Sequence, residues 1–428
     1  MNQQVQTHTL SNGLTILTKE IHHVPLVSHW VWYRIGSRNE VPGKTGISHW
    51  VEHMQFKGTP KYPINVLDQA ISRDGGFWNA LTSLDWTTYL ETLPADKLDI
   101  ALDLEADRMV NSSFDPQETE LERTVVISER EGNENEPLFR LGEAVNALGF
   151  KAHPYRNQVI GNKKDLETIT RDQLYGHYKQ HYSPNNAVVA LAGDFDTATV
   201  LSRIEELYGN IAAQDNGTLT PEPEGALEDF YRVDLEGPGD TVYLQVSYRS
   251  PAANNEDFFA LMVLDSLLTG PSSLDMFGGG SISNKTSRLY QLLVETDKAV
   301  SISGGLQATV DPYLYDILAI LPPDHPEDEI LRVIDDEIKK LQDHKVPAED
   351  IQRAIKQAKA LFAYGSENIT NQAFWLGYSS MFADPSWFDQ YIPNLEKVNA
   401  EQLMQAARKY LNSEQRIVGI YRPKEKGK

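Results

Sequence analysis

Cysteine is absent from all 428 residues. That absence removes disulfides, thiolate zinc ligands and cysteine nucleophiles together. Long apolar runs are missing too: no stretch approaches the ~18 residues a membrane-crossing helix needs. Positive charge is short. Against 61 Asp and Glu stand 39 Lys and Arg, a formal net charge of −22, which argues against nucleic acid and anionic membranes as partners. The start, Met1 to His8, has neither a basic n-region nor an apolar h-region, so the cytoplasm is the expected compartment. The periplasm is the alternative if a leader has been removed. Any metal must be held by histidine and carboxylate.

Five residues that are present carry the most chemistry, His49-Trp50-Val51-Glu52-His53. Histidines four apart on a helix stand one turn above each other on one face. Two imidazoles so placed can share a tetrahedral Zn²⁺, and Glu52 is set to take a proton from a water at the metal. The order H-x-x-E-H is the inverzincin pattern. The plain alternative is a helix with two solvated histidines and a surface glutamate.

The length suits two or three domains. Two stretches align without a gap at an offset of 229, Ile169 to Leu191 with Val398 to Ile420. Asp172/Glu401, Gln173/Gln402, Leu174/Leu403 and Val189/Val418 correspond. Each reads as an amphipathic helix, a polar turn and an apolar strand. The polar, Pro- and Gly-bearing stretch 212–226 reads as a linker. The expected organisation is therefore a metal-binding domain at 1–211, the linker, and a homologous domain at 227–428 without a metal site. Helical patterns at 45–57, 64–73, 96–111, 115–131, 137–150 and 170–181 alternate with strands such as Trp86 to Leu93. The second half repeats the mixture, with helices near 256–269, 326–343, 348–364 and 398–411 and strands near 240–249, 299–309 and 314–321. The fold class is α+β, helices packed on mostly antiparallel sheets.

A third ligand must come from many acids. Asp115-Pro116-Gln117-Glu118 reads as an N-cap, a proline at N1 and a capping-box partner, so a helix starts there. Glu122 and Glu129, seven apart, share one face of it, and Val125 and Val126 between them suggest that the face is partly buried. A glutamate there needs a partner, and a metal or a ligand histidine would serve.

These residues together resemble the pitrilysin and insulinase group of zinc metallopeptidases, in the short form similar to mitochondrial processing peptidase. The resemblance runs from Gly46-Ile47-Ser48-His49 through Gly58-Thr59, through Asn79-Ala80-Leu81-Thr82-Ser83 and Glu122 to Glu129, to His153-Pro154-Tyr155 and Asn185 to Asp194. It implies one zinc held by His49, His53 and Glu129, Glu52 as general base, and Glu122 orienting a ligand histidine. It also implies an extended peptide substrate on an edge strand at Asn79 and Ala80. The implied fold is two homologous domains forming half of a clamshell.

The second half departs from the family pattern. It has no H-x-x-x-H pair, and its counterpart of the metal helix, Phe258 to Gly270, is apolar. It does carry a stretch similar to the family's glycine-rich run, Gly278-Gly279-Gly280, followed by Ser287 to Leu293. Where active members carry Arg and, seven residues on, Tyr to stabilise the oxyanion, this chain has Val294 and Ser301. The mismatch resembles the metal-carrying member of a split pair, whose homologous partner subunit supplies Arg and Tyr. A homodimer, with Arg288 supplying the charge, is the alternative. The expected activity is a zinc-dependent endopeptidase needing that partner for full rate. Two other readings are a proteolytically silent scaffold and a peptide-binding protein with structural zinc.

Overall fold

The computed structural model describes residues 4–217, 220–271, 284–322 and 325–424. In chain order the first half contains β1 (Gln6–Thr9), β2 (Thr15–Glu20), β3 (Leu26–Tyr33), α1 (Ile47–Met54), α2 (Ile64–Ser72), β4 (Phe77–Thr82), β5 (Thr87–Pro94), α3 (Leu98–Asn111), α4 (Pro116–Asn133), α5 (Pro137–Gly149), α6 (Lys163–Thr168), α7 (Arg171–His181), β6 (Ala187–Gly193) and α8 (Thr197–Tyr208). There follow β7 (Tyr231–Gly237), β8 (Val242–Arg249), α9 (Phe258–Leu268), β9 (Ser301–Leu306), β10 (Leu314–Leu321), α10 (Glu327–Asp343), α11 (Ala348–Gly365), α12 (Ile369–Phe382), α13 (Ser386–Lys397), α14 (Ala400–Tyr410) and β11 (Ile417–Pro423). Among the described residues no helix is long and apolar enough to cross a membrane.

Two sheets of one plan organise these elements. The first runs β1-β2-β6-β3-β5-β4 and the second β7-β11-β8-β10-β9. Without β1, the two orders correspond strand for strand. β2 pairs parallel with β6, as β7 does with β11, and the other pairs are antiparallel. The helix-turn-strand repeat occupies equivalent places, α7 leading into β6 and α14 into β11. Even the caps match at the same offset of 229: Thr170 with Gln173 and Asn399 with Gln402 each form a reciprocal capping box.

The chain divides into two compact units, but they are not the contiguous stretches 1–211 and 227–428. One comprises 1–131, 157–221 and 366–388, the other 132–156, 222–365 and 389–428. Each half therefore lends a segment to the other's unit. In the first, α12 packs against β3 and β6. Trp30 and Trp32 of β3 stack at 5.4 Å, with Phe374 of α12 5.5 and 5.6 Å from them. In the second, α5 packs against β7, β8 and β11. His153 and Tyr155, part of the family-like motif, also lie in this unit, where His153 pairs with Asp311 at 3.0 Å.

The helices α6, α8, α12 and α13 add to those expected from periodicity. α12 is buried almost all round, including Asn371, Ser379 and Ser380. Its sequence therefore shows no apolar stripe.

Candidate metal centre

The centre lies within the first unit, on α1 and α4. Helix α1 is preceded by its N-cap Gly46, whose φ of +86° is left-handed and where a β-carbon would meet the Ile160 carbonyl oxygen at 2.4 Å. Glycine is required there on both counts. With no side chain at the N-cap, the buried Glu40 serves instead, accepting from the N–H groups of Gly46 and Ser48 at 2.8 and 2.9 Å. Helix α4 is capped by Asp115, whose Oδ1 accepts from the N–H groups of Gln117 and Glu118. On α4 Val126 is fully buried, but Val125 is 50% exposed, so the face between Glu122 and Glu129 is less covered than expected.

The structure brings His49, His53 and Glu129 together, one ligand atom of each lying within 4.8 Å of the others. The Oε2 atom of Glu129 is 3.9 Å from His49 Nε2 and 3.6 Å from His53 Nε2. These are too long for hydrogen bonds. They approach the ~3.3 Å edge of a tetrahedron whose centre lies ~2.0–2.1 Å from each ligand. His53 Nδ1 pairs with Glu122 Oε1 at 2.8 Å, which leaves Nε2 turned toward Glu129. The other Glu122 oxygen is 2.5 Å from Lys57 Nζ. A metal-ligating histidine is characteristically held this way by a carboxylate.

Electrostatics suit a cation. Burial pushes the His49 imidazole down to about 3, and neighbouring His53 adds to this, so the ring is neutral with a free lone pair. Its buried Nδ1 has no hydrogen-bond partner among the described residues. Burial lowers His53 as well, but its bond to Glu122 and the charges of Glu52, Glu122 and Glu129 raise it overall. The carboxylates therefore favour positive charge at the His53 ring. Glu122 also feels burial, yet His53 and Lys57 hold its carboxyl below the usual range. The residues present fit a divalent ion with nitrogen and oxygen ligands.

Glu52 is buried, and its Oε2 accepts from Thr82 Oγ1 at 2.5 Å. Burial pushes its carboxyl up to about 7, close to the value a general base needs at neutral pH. Thr82 sits inside the stretch Asn79 to Ser83, but nothing in the sequence singles it out as the partner of Glu52. Asn79 is exposed and Ala80 buried on β4, the last strand of the first sheet, paired only with β5 among the described residues. The Asn79 side chain accepts from the Ala80 N–H at 2.9 Å.

In the second unit, Val294 closes a short π-helical turn and Ser301 opens β9. Arg288 is engaged with Glu337 at 3.6 Å and Asp350 at 4.0 Å. Gly278-Gly279-Gly280 lies outside the described residues. Among the described residues no second metal-ligating cluster occurs, and α9 is buried throughout.

Residues 15–163 match the family model described as insulinase (peptidase family M16), and residues 168–358 match the M16 inactive domain. The chain belongs to the M16 peptidase family. An uncharacterized zinc protease of Mycobacterium leprae is 27% identical over 94% of this chain and 88% of its own length. A "Probable mitochondrial-processing peptidase subunit beta" of Arabidopsis thaliana is also 27% identical, over 83% of this chain and 66% of its own. In fold, a protease from Helicobacter pylori superposes with a TM-score of 0.90 at 23% identity, covering 99% of this chain and 100% of that one. A chain of complex III2 from Candida albicans follows at 0.80 and 15% identity, covering 98% and 96%.

Proposed function

We propose that this M16 protein is a zinc-dependent endopeptidase acting on extended peptides or small unfolded polypeptides. The observation that carries the proposal is the convergence of His49, His53 and Glu129 with the buried carboxyl of Glu52 on the same helix as the two histidines. His49, His53 and Glu129 would hold the ion, and three protein ligands leave a fourth position open. When bound, zinc supplies Lewis-acid polarisation of a peptide carbonyl and of the attacking water. Glu122 fixes the His53 ring. Glu52, restrained by Thr82, takes the proton of the water and returns it to the leaving amine. The open edge of β4 at Asn79 and Ala80 aligns the substrate backbone.

Val294 and Ser301 support a division of labour in which a homologous partner subunit brings the Arg and Tyr that polarise the oxyanion. The same two residues, with the inactive-domain description of residues 168–358, favour as second reading a scaffold that binds peptide without cutting it. Elemental analysis of the purified protein should find about one zinc per chain in the wild type and little in His53→Ala. Cleavage of an unstructured peptide should stop with chelator and return with zinc. Full zinc retention in His53→Ala overturns the site, and zinc binding without any cleavage, with every homologous partner added, leaves the scaffold.

A further inference from the structure

Glu129 is the weakly held member of the cluster. Its side chain is 43% exposed, and its ion pairs among the described residues are the long contacts to the two histidines. Its position therefore depends on where α4 lies relative to α1. The segment 160–169, which includes α6, touches both helices. At one end Asp165 Oδ2 accepts from the N–H and hydroxyl of Thr45, just before α1, at 3.0 and 2.7 Å. The Asn162 N–H donates to the Thr45 hydroxyl at 2.8 Å. Gly161 lies so close that a β-carbon there would meet the Gly46 nitrogen at 2.4 Å.

At the other end the segment is held by Arg123 of α4. Its guanidinium donates to the carbonyl oxygens of Leu166 and Ile169 at the end of α6, at 2.5 and 2.8 Å. These carbonyls lack helical partners, and a cation is favoured beside them. The same guanidinium lies 4.7 Å over the indole of Trp50, the fully buried residue next to His49. Lys163 adds a pair to Glu131 at 2.6 Å, near Glu129. One planar group thus stacks on the histidine helix, bonds two carbonyls of the intervening segment and belongs to the glutamate helix. A lysine ammonium cannot do all three.

We infer that Arg123 is a positioning residue, setting the placement of Glu129 against His49 and His53 through Trp50 and the 160–169 brace. Glu129 lies six positions along the helix from Arg123, roughly 9 Å of rise. A tilt of ~10° about Arg123 then moves Glu129 by roughly 1.5 Å, several times the ~0.2 Å tolerance of a metal–ligand distance.

The inference rests on the zinc reading above, and its test separates the two. Zinc affinity is measured by chelator competition, with metal-free thermal unfolding alongside, for Arg123→Met and Arg123→Lys, alone and combined with Glu129→Ala. Arg123→Met should weaken zinc binding at least about tenfold when Glu129 is present, and Arg123→Lys should restore little of it. Once Glu129 is gone, the same change should alter affinity less than about twofold. Unchanged affinity in Arg123→Met, or an equal loss with and without Glu129, overturns the inference while leaving the site intact. A wild type that binds no zinc overturns both. If Arg123→Met does not fold, Asp165→Asn loosens the other end of the brace and carries the same expectations.

Discussion

Gly377 of α12 lies flat against the indole of Trp32 on β3: a β-carbon at residue 377 would sit 2.0 Å from the indole nitrogen. The contact joins a helix from the second half of the chain to the sheet that supports the candidate metal centre. Trp32 is fully buried and also packs against Trp86 at 4.9 Å, so it cannot step aside. Gly377→Ala should destabilise the first unit by about 1–3 kcal/mol through overpacking, despite the higher helix propensity of alanine. Near-ultraviolet circular dichroism, dominated by the buried tryptophans, should report the earlier transition. An unchanged or raised melting temperature would show that α12 is not packed as described.

Glu52→Gln should keep the fold and the zinc and lose peptide cleavage by about 10²–10⁴-fold. Glutamine is nearly isosteric and can still accept from Thr82, so the loss isolates the proton acceptor from the scaffold. Thr82→Val should act differently. It frees the Glu52 carboxyl from its restraint, and the acid limb of the pH–rate profile should shift while activity is only partly lost. Cleavage by Glu52→Gln at the wild-type rate removes Glu52 from the base role.

How much of this was legible in the sequence follows from how local each feature is. The spacing of His49, Glu52 and His53 is a property of one helical turn and can be read directly. The cap at Asp115 is equally local. Glu40, Thr82, Arg123 and Asp165 bear on the site through contacts that cross the first unit, and no spacing announces them. The exchange of α5 and α12 between the units was illegible for the same reason. Domain membership is decided by which sheet a helix covers, and the polar linker at 212–226 marks only one of the places where the chain changes unit.

Acid should weaken the protein through buried histidines. Burial holds His181, at the end of α7, down to about 4, and His177 one turn earlier lies well below its ordinary value for the same reason. The folded state keeps these rings neutral, whereas the unfolded chain protonates them near 6.5. Below that pH the unfolded state binds more protons, so stability is full at neutral pH and is lost as pH falls from about 6.5 toward 4. For His181 the slope reaches about 1.4 kcal/mol per pH unit, or about 3 kcal/mol over the window. Urea unfolding of the metal-free protein between pH 4 and 8 should show this slope, shallower in His181→Gln. Equal slopes for the two proteins would exclude His181 as a source.

The partner prediction follows from the contrast between two parts of the chain. One brings together His49, His53 and Glu129, which could hold a metal ion, and the buried carboxyl of Glu52, the proposed base. The other has Val294 and Ser301 at the positions where the family resemblance implies an oxyanion-stabilising Arg and Tyr, and Arg288 is engaged with Glu337 and Asp350. Loss of a single oxyanion donor costs about 10²–10³ in rate, so a chain lacking both groups should turn over slowly alone. A homologous chain of similar length, without the metal-site histidines and carrying Arg and Tyr at these positions, should raise cleavage by more than about tenfold when added in equal amount. The rise should vanish when the partner's Arg is replaced by Ala or its Tyr by Phe. It should also vanish with Glu52→Gln in this chain, although these residues lie on different polypeptides. Mixing the two purified chains and following peptide cleavage against partner concentration, with the mass in solution measured in parallel, tests each point. Full turnover by this chain as a pure monomer or homodimer would defeat the division of labour.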